Sequence, residues 1–152
     1  NVTVFPPERF KNKEREQFYW RMVRDVRKGL PYAKLISATV IETYEYISTF
    51  DTKKEREDYL KQMEHEVFNQ YKPELKRFTR QQARVLVKLI NRETNQESFS
   101  IIRAFLGSFR ATCYQALGRI FSVNLKADWN PESDDTDALI DRIATRIEQG
   151  EL

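Results

Sequence analysis

A catalytic centre needs groups that exchange protons, attack carbon or phosphorus, or hold a metal, and this chain has few candidates. His65 is the only histidine and Cys113 the only cysteine among 152 residues. His65 stands in Glu64-His65-Glu66 within a helical stretch, where consecutive side chains point in different directions. It would need a nucleophile brought from elsewhere in the chain, and a surface histidine explains it without one. Cys113 continues the apolar stripe Ile102, Phe105, Phe109, Cys113, Leu117 and Ile120. A reactive thiolate requires a polar, electropositive setting, so Cys113 is expected to be buried and structural. As a lone cysteine it forms no disulfide within the chain. Carboxylates such as Glu55 and Asp58 lie at helical spacing on a solvated face. Asp134, Asp135 and Asp137 sit where the positive end of a helix favours anions, which accounts for them without a cation. There is no glycine-rich phosphate loop, no paired His/Cys zinc spacing and no EF-hand pattern. The residues therefore predict no catalytic group, no metal and no cofactor. An enzyme working through His65 or Cys113 is the third of three readings.

Arginines offer a different chemistry. From Ser98 to Ala127 there is no acidic residue, and the charges present are Arg103, Arg110, Arg119 and Lys126. Arg103 and Arg110, seven apart, share a helix face, whereas Arg119 points roughly opposite. They make no continuous basic stripe. Thr79 to Asn95 admits a helix-turn-helix reading through Arg80, Gln81, Gln82 and Arg84. A capped structural helix followed by a turn explains the same residues. The net charge is only +3, from 26 basic and 23 acidic residues, and a nucleic-acid footprint usually carries a larger basic excess. Nucleic-acid binding is thus the alternative, and a protein partner is the leading expectation. The residues assigned to that partner are Val2, Val4 and Phe5 of an extended arm, Arg92, Arg103 and Arg110, and Trp129 in a loop.

The elements that position these residues follow from composition and periodicity. Four glycines and five prolines are too few for a turn-rich sheet protein, and 32% charged residues mark a well-solvated globular chain. The sequence predicts an all-α fold, a compact multi-helix bundle of five to seven helices behind an extended N-terminal arm. Residues 1–10 form the arm, through Val2-Thr3-Val4-Phe5 and Pro6-Pro7, and 11–150 form one helical domain. A first helix, capped by Asn12, is expected to end or kink at Gly29-Leu30-Pro31. A second carries Ala33, Ile36, Val40, Tyr44 and Ile47. Thr52-Lys53-Lys54-Glu55 and Thr79-Arg80-Gln81-Gln82 match capping boxes that open the third and fourth. Pro73 punctuates the third, and Asn91–Asn95 reads as a polar turn after the fourth. The apolar segment Ser98–Ser122, interrupted by Gly107 and Gly118, is expected to be the central, most buried helix. The last helix starts near Asp135 and stops at Gly150. No apolar run approaches the roughly 20 residues that span a bilayer.

Several strings carry a family resemblance. They are Phe10-Lys11-Asn12-Lys13, Tyr19-Trp20-Arg21, Val23-Arg24-Asp25-Val26-Arg27-Lys28, Leu30-Pro31-Tyr32-Ala33-Lys34 and Leu89-Ile90-Asn91-Arg92-Glu93-Thr94. Gly107-Ser108-Phe109-Arg110-Ala111, Gln115-Ala116-Leu117-Gly118-Arg119 and Asn124-Leu125-Lys126 follow. In order and spacing, to about Pro131, they resemble a Bacteroidota family of small exported envelope proteins catalogued as domain of unknown function 4294. The chain departs from it at Asn91, where Asp is expected, and at Asn95, where Gly is expected. The resemblance implies a periplasmic protein exported on a cleaved signal peptide, and it implies no activity or catalytic residue. Lineage and compartment suggest an accessory subunit of the type IX protein secretion translocon. The reading that follows is a non-enzymatic periplasmic adaptor with a protein partner in the cell envelope, not membrane-spanning and without a cofactor.

Overall fold

The structure, a computed structural model, describes residues 2–95, 103–122 and 128–152, with backbone alone at 64, 67, 103–106, 108 and 112. Among the described residues there are five helices and no strand. They are α1 (Lys13–Ile47), α2 (Lys53–Leu75), α3 (Arg80–Thr94), α4 (Arg103–Phe121) and α5 (Asp135–Glu148). The helix count falls within the expected range. Residues 2–10 carry no regular element and form the arm.

The caps were legible in the sequence because each is local. Asn12 accepts from the Arg15 amide, Thr52 from Glu55 and Asp134 from Asp137. Thr79 and Gln82 exchange both bonds of a full capping box. Gly150 leaves α5 in the left-handed region at φ 77°, where glycine is favoured.

Three expectations are corrected. First, Pro31 does not end the first helix: α1 runs through it for 35 residues. Pro31 lies on the solvent face, so water can hydrate the carbonyl its missing N–H leaves free. Gly29 serves packing and not termination. A Cβ there would meet Leu89 Cδ1 at 3.2 Å and the Leu86 Cα at 3.7 Å, so its absence lets α1 and α3 lie close. Pro73 likewise sits inside α2, two residues before its end at Leu75.

Second, the polar run 91–95 is the last turn of α3, which continues to Thr94. Its polarity serves buried pairing. Asn91, Glu93 and Thr94 are all buried, and the Thr94 hydroxyl donates to the Ile90 carbonyl at 2.7 Å.

Third, the helix most buried among the described side chains is α3. Ten of its 15 residues are buried, including Ala83, Leu86, Leu89 and Ile90 at zero exposure. They pack on Val23, Val26, Leu30, Ala33 and Ile36 of α1. Ile140, Ile143 and Ala144 of α5 close the core on one side, Phe109, Cys113 and Leu117 of α4 on another, and Phe68 and Leu75 of α2 at its end. The α4 helix runs through Gly107 and Gly118 without interruption, and among the described residues nothing lies within 4 Å of a Cβ at Gly107. Positions 98–102, the expected start of that helix, lie outside the described residues.

Candidate functional site

The arm is strapped to α5 by side chains from one face of that helix. The Thr3 amide donates to Gln149 Oε1 at 2.6 Å, and Gln149 Nε2 donates to the Thr3 carbonyl at 3.0 Å. One side-chain amide thereby satisfies both backbone groups of a residue, as a neighbouring strand would. One turn earlier, Arg146 Nη2 donates to the Pro6 carbonyl at 2.9 Å, and its guanidinium lies 5.3 Å from the centre of the Phe5 ring. Arg142 Nε donates to Glu8 at 3.2 Å. The arm ends with Phe10 against Tyr19 of α1, ring centres 5.3 Å apart. Extended backbone sends alternate side chains to opposite sides. Phe5 turns toward Arg146, whereas Val2 and Val4 stand 76% and 87% exposed, and Thr3, held by its backbone, is exposed as well. Beside the strap lies a cleft of about 280 Å³ between Arg9, Phe10, Phe18, Leu139 and Arg142.

The other expected partner residues fare differently. Arg92 is an internal residue, its side chain only 11% exposed. It donates to Asp141 at 2.7 Å, Glu148 at 2.7 Å, Glu93 at 2.8 Å and the Thr145 hydroxyl at 3.2 Å. Lys34 joins the seam through Glu148 at 2.6 Å and Glu93 at 3.4 Å, so α1, α3 and α5 are pinned together. The assignment of Arg92 to a partner surface is therefore corrected. A cation with this donor geometry is consumed by three carboxylates and offers nothing outward. Arg110 donates to the Thr94 hydroxyl from both Nε (2.9 Å) and Nη2 (2.7 Å), and to Asn95 at 2.9 Å. It fastens α4 to the end of α3. The Arg103 side chain lies outside the described residues. Phe5 and Trp129 are half-buried, Phe5 beneath Arg146 and Trp129 against the core. Of the seven, Val2 and Val4 are the ones found facing solvent.

Burial pushes the Arg92 guanidinium down, but its hydrogen bonds to Glu148 and Asp141 outweigh this and hold it above its ordinary value. Burial raises the Glu148 carboxyl, and hydrogen bonds from Arg92 and Lys34 outweigh it to hold the group below the usual 4.5. A carboxylate with a depressed folded pKa contributes stability that is complete above its unfolded value and is lost as pH falls through the folded one. The seam is therefore expected to lend full stability above about pH 5 and to weaken below about pH 4.5. Urea midpoints measured against pH should fall less steeply on the acid side in Glu148→Gln than in wild type. Parallel acid limbs would contradict this role for Glu148.

The remaining candidates do not meet. His65 is exposed on α2, while Cys113 is fully buried among the core side chains of α4. Asp134 caps the Asp137 amide, and the Asp137 carboxylate, 2% exposed, holds Lys88 and accepts from the Asn130 amide at 3.0 Å. Among the described residues no group of three or more His, Cys, Asp or Glu side chains could hold a metal, and no helix is long and apolar enough to cross a membrane. Gln82, one of the residues of the helix-turn-helix reading, is buried and donates to Asp25 at 3.2 Å. The other three residues of that reading, Arg80, Gln81 and Arg84, are exposed on α3.

Sequence reasoning missed the strap itself. Arg142, Arg146 and Gln149 are spaced one turn apart on one face of α5, a pattern that marks an exposed polar stripe as readily as an anchor. Their partners lie 134 to 146 residues away, and no local signal reports such a separation.

Fold and site together define an all-α domain, with five helices among its described residues and its N-terminal arm strapped along the last of them. The chain belongs to the family described as Domain of unknown function (DUF4294), whose model matches residues 1–146. The matched span includes the arm and its anchors Arg142 and Arg146, and runs beyond the Pro131 limit of the strings read from sequence. No curated protein and no solved structure matches the chain.

Proposed function

We propose that this chain is a non-enzymatic protein-interaction subunit of a bacterial envelope complex, and that the outer side of its arm receives the partner. One observation carries the reading. An arm held on α5 through the Thr3 backbone, the Pro6 carbonyl and the Phe5 ring leaves two β-branched residues, Val2 and Val4, largely in water. Ordering such a segment costs conformational entropy, and a rigid extended segment with an apolar outer row suits strand addition by a partner. The periplasmic setting comes from the family resemblance. The specific complex put forward is the type IX secretion translocon, with this chain as an accessory subunit; that choice rests on lineage and compartment.

The test compares wild type, a chain lacking residues 1–7 and Val2→Asp/Val4→Asp as baits on gently solubilised native envelopes. Both altered baits are expected to recover at least about tenfold less of the partner, the scale of a lost central contact. Their helical circular dichroism should be unchanged, since the two valines are exposed. Equal recovery with all three baits would remove the arm from the interaction.

A further inference from the structure

The cleft beside the strap is built from three elements, and its lining is of two kinds. The arm supplies Arg9 and Phe10, α1 supplies Arg15 and Phe18, and α5 supplies Leu139 and Arg142. Phe10, Phe18 and Leu139 are half-buried and packed against the core, so they present a fixed apolar wall. Around that wall stand four cations, Arg9, Lys11, Arg15 and Arg142, against two carboxylates, Glu8 and Asp135. Glu8 is already held by Arg142 at 3.2 Å and Arg146 at 3.8 Å, and Arg142 uses only its Nε there. The side chains of Arg9, Lys11 and Arg15 form no ion pair or hydrogen bond among the described residues, with Asp135 or with any other group. Cations gathered around one apolar hollow repel each other, and an anion placed among them relieves the repulsion.

We propose that this cleft binds a small carboxylate carried on an apolar body. The carboxylate lies toward Arg9, Lys11 and Arg15, and the body lies against Phe10, Phe18 and Leu139. Each half of the lining excludes a different kind of ligand. A bare inorganic anion would leave the apolar wall in water, and a neutral apolar molecule would leave the cations uncompensated. A polyanion would meet Glu8 and Asp135 as well. Arginine presents a planar fork of donors that matches a carboxylate in two parallel hydrogen bonds, and Arg9 and Arg15 both have that fork free. The volume, about 280 Å³, lies at the lower edge of small-ligand sites and suits one ring with a short acid chain. Two sources share this chemistry, a free acid and the last residue of a protein chain. The cleft does not involve Val2 or Val4, so it stands whether or not the arm's outer row receives a partner.

The test is a nuclear magnetic resonance titration of the whole chain with 3-phenylpropionate, at neutral pH and low salt, up to about 10 mM. Saturable shifts are expected at the amides of Phe10, Phe18 and Leu139, with a Kd of about 1 mM or tighter, the scale for a ligand this small. Acetate lacks the apolar body and 3-phenylpropionamide lacks the charge, and each should bind at least about tenfold more weakly. Arg9→Ser/Arg15→Ser should weaken binding of the acid by a similar factor. Both arginines are exposed, so the variant should keep the dispersed spectrum of the folded chain. N-acetyl-Gly-Gly-Phe separates the sources. Tighter binding of this peptide than of 3-phenylpropionate assigns the carboxylate to a chain end, and weaker binding assigns it to a free acid. The absence of any saturable shift with either ligand overturns the proposal. So does 3-phenylpropionamide binding as tightly as the acid, or a double variant that binds as wild type does.

Discussion

Replacing Arg92 with methionine is expected to lower the unfolding free energy by about 3 kcal/mol, the lower end for breaking a buried ion pair by removing one partner. Methionine keeps the aliphatic volume, so the loss isolates the guanidinium. Its removal strands carboxylates unequally. Glu93, 8% exposed, loses its 2.8 Å bond inside the protein, while Asp141 and Glu148, at 45% and 31%, can turn to water. That recovery is what keeps the loss at the low end. Arg92→Lys should recover part of it, because an ammonium carries the charge but cannot span three carboxylates as a planar fork does. Denaturant midpoints with an unchanged m-value would measure both. A loss under about 1 kcal/mol for methionine would mean that the seam behaves as an exposed network.

Asp137→Ala is expected to cost a similar amount, about 3 kcal/mol, by a different route. Asp137 is at once the third residue of α5, the acceptor for the Asn130 amide and the counter-ion of Lys88. Lys88 also donates to the Asp128 carbonyl at 3.1 Å. Alanine removes two charge-assisted hydrogen bonds, each worth roughly 1.5–3 kcal/mol, and Lys88, a quarter exposed, regains some of this by hydration. Asp137→Asn keeps an acceptor for Asn130 and should lose about half as much. The local consequence separates this site from Arg92. Freed of Asp137, the segment carrying Trp129 should loosen before the helices do, seen as faster amide exchange at Asn130 with α3 still protected. Uniform acceleration across all helices would show that Asp137 acts on global stability alone.

The polar seam gives α1 an organising role. Its inner side, through Gly29 and Lys34, organises α3 and α5.

Features governed by short-range forces could be read directly from the chain. Asn12, Thr52, Thr79 and Asp134 cap helices from within four residues of the amides they bind, and Gly150 ends α5 through its own φ angle. The all-α class followed from helical periodicity and scarce turn residues. Residues whose local signal is ambiguous took their meaning from packing. Pro31 breaks a helix where its ring is enclosed and is tolerated where the freed carbonyl meets water, and nothing nearby in sequence says which face it occupies. Asn91 to Asn95 has the composition of a turn, yet Arg92 and Glu93 extend the helix because their counter-charges arrive from α1 and α5. Phe5 and Trp129 are aromatics in irregular segments, and packing alone settled that both are half-covered while Val2 and Val4 stand in solvent. In each case the deciding partner is tens to more than a hundred residues away, so the physics that fixes the outcome is absent from any window of the chain.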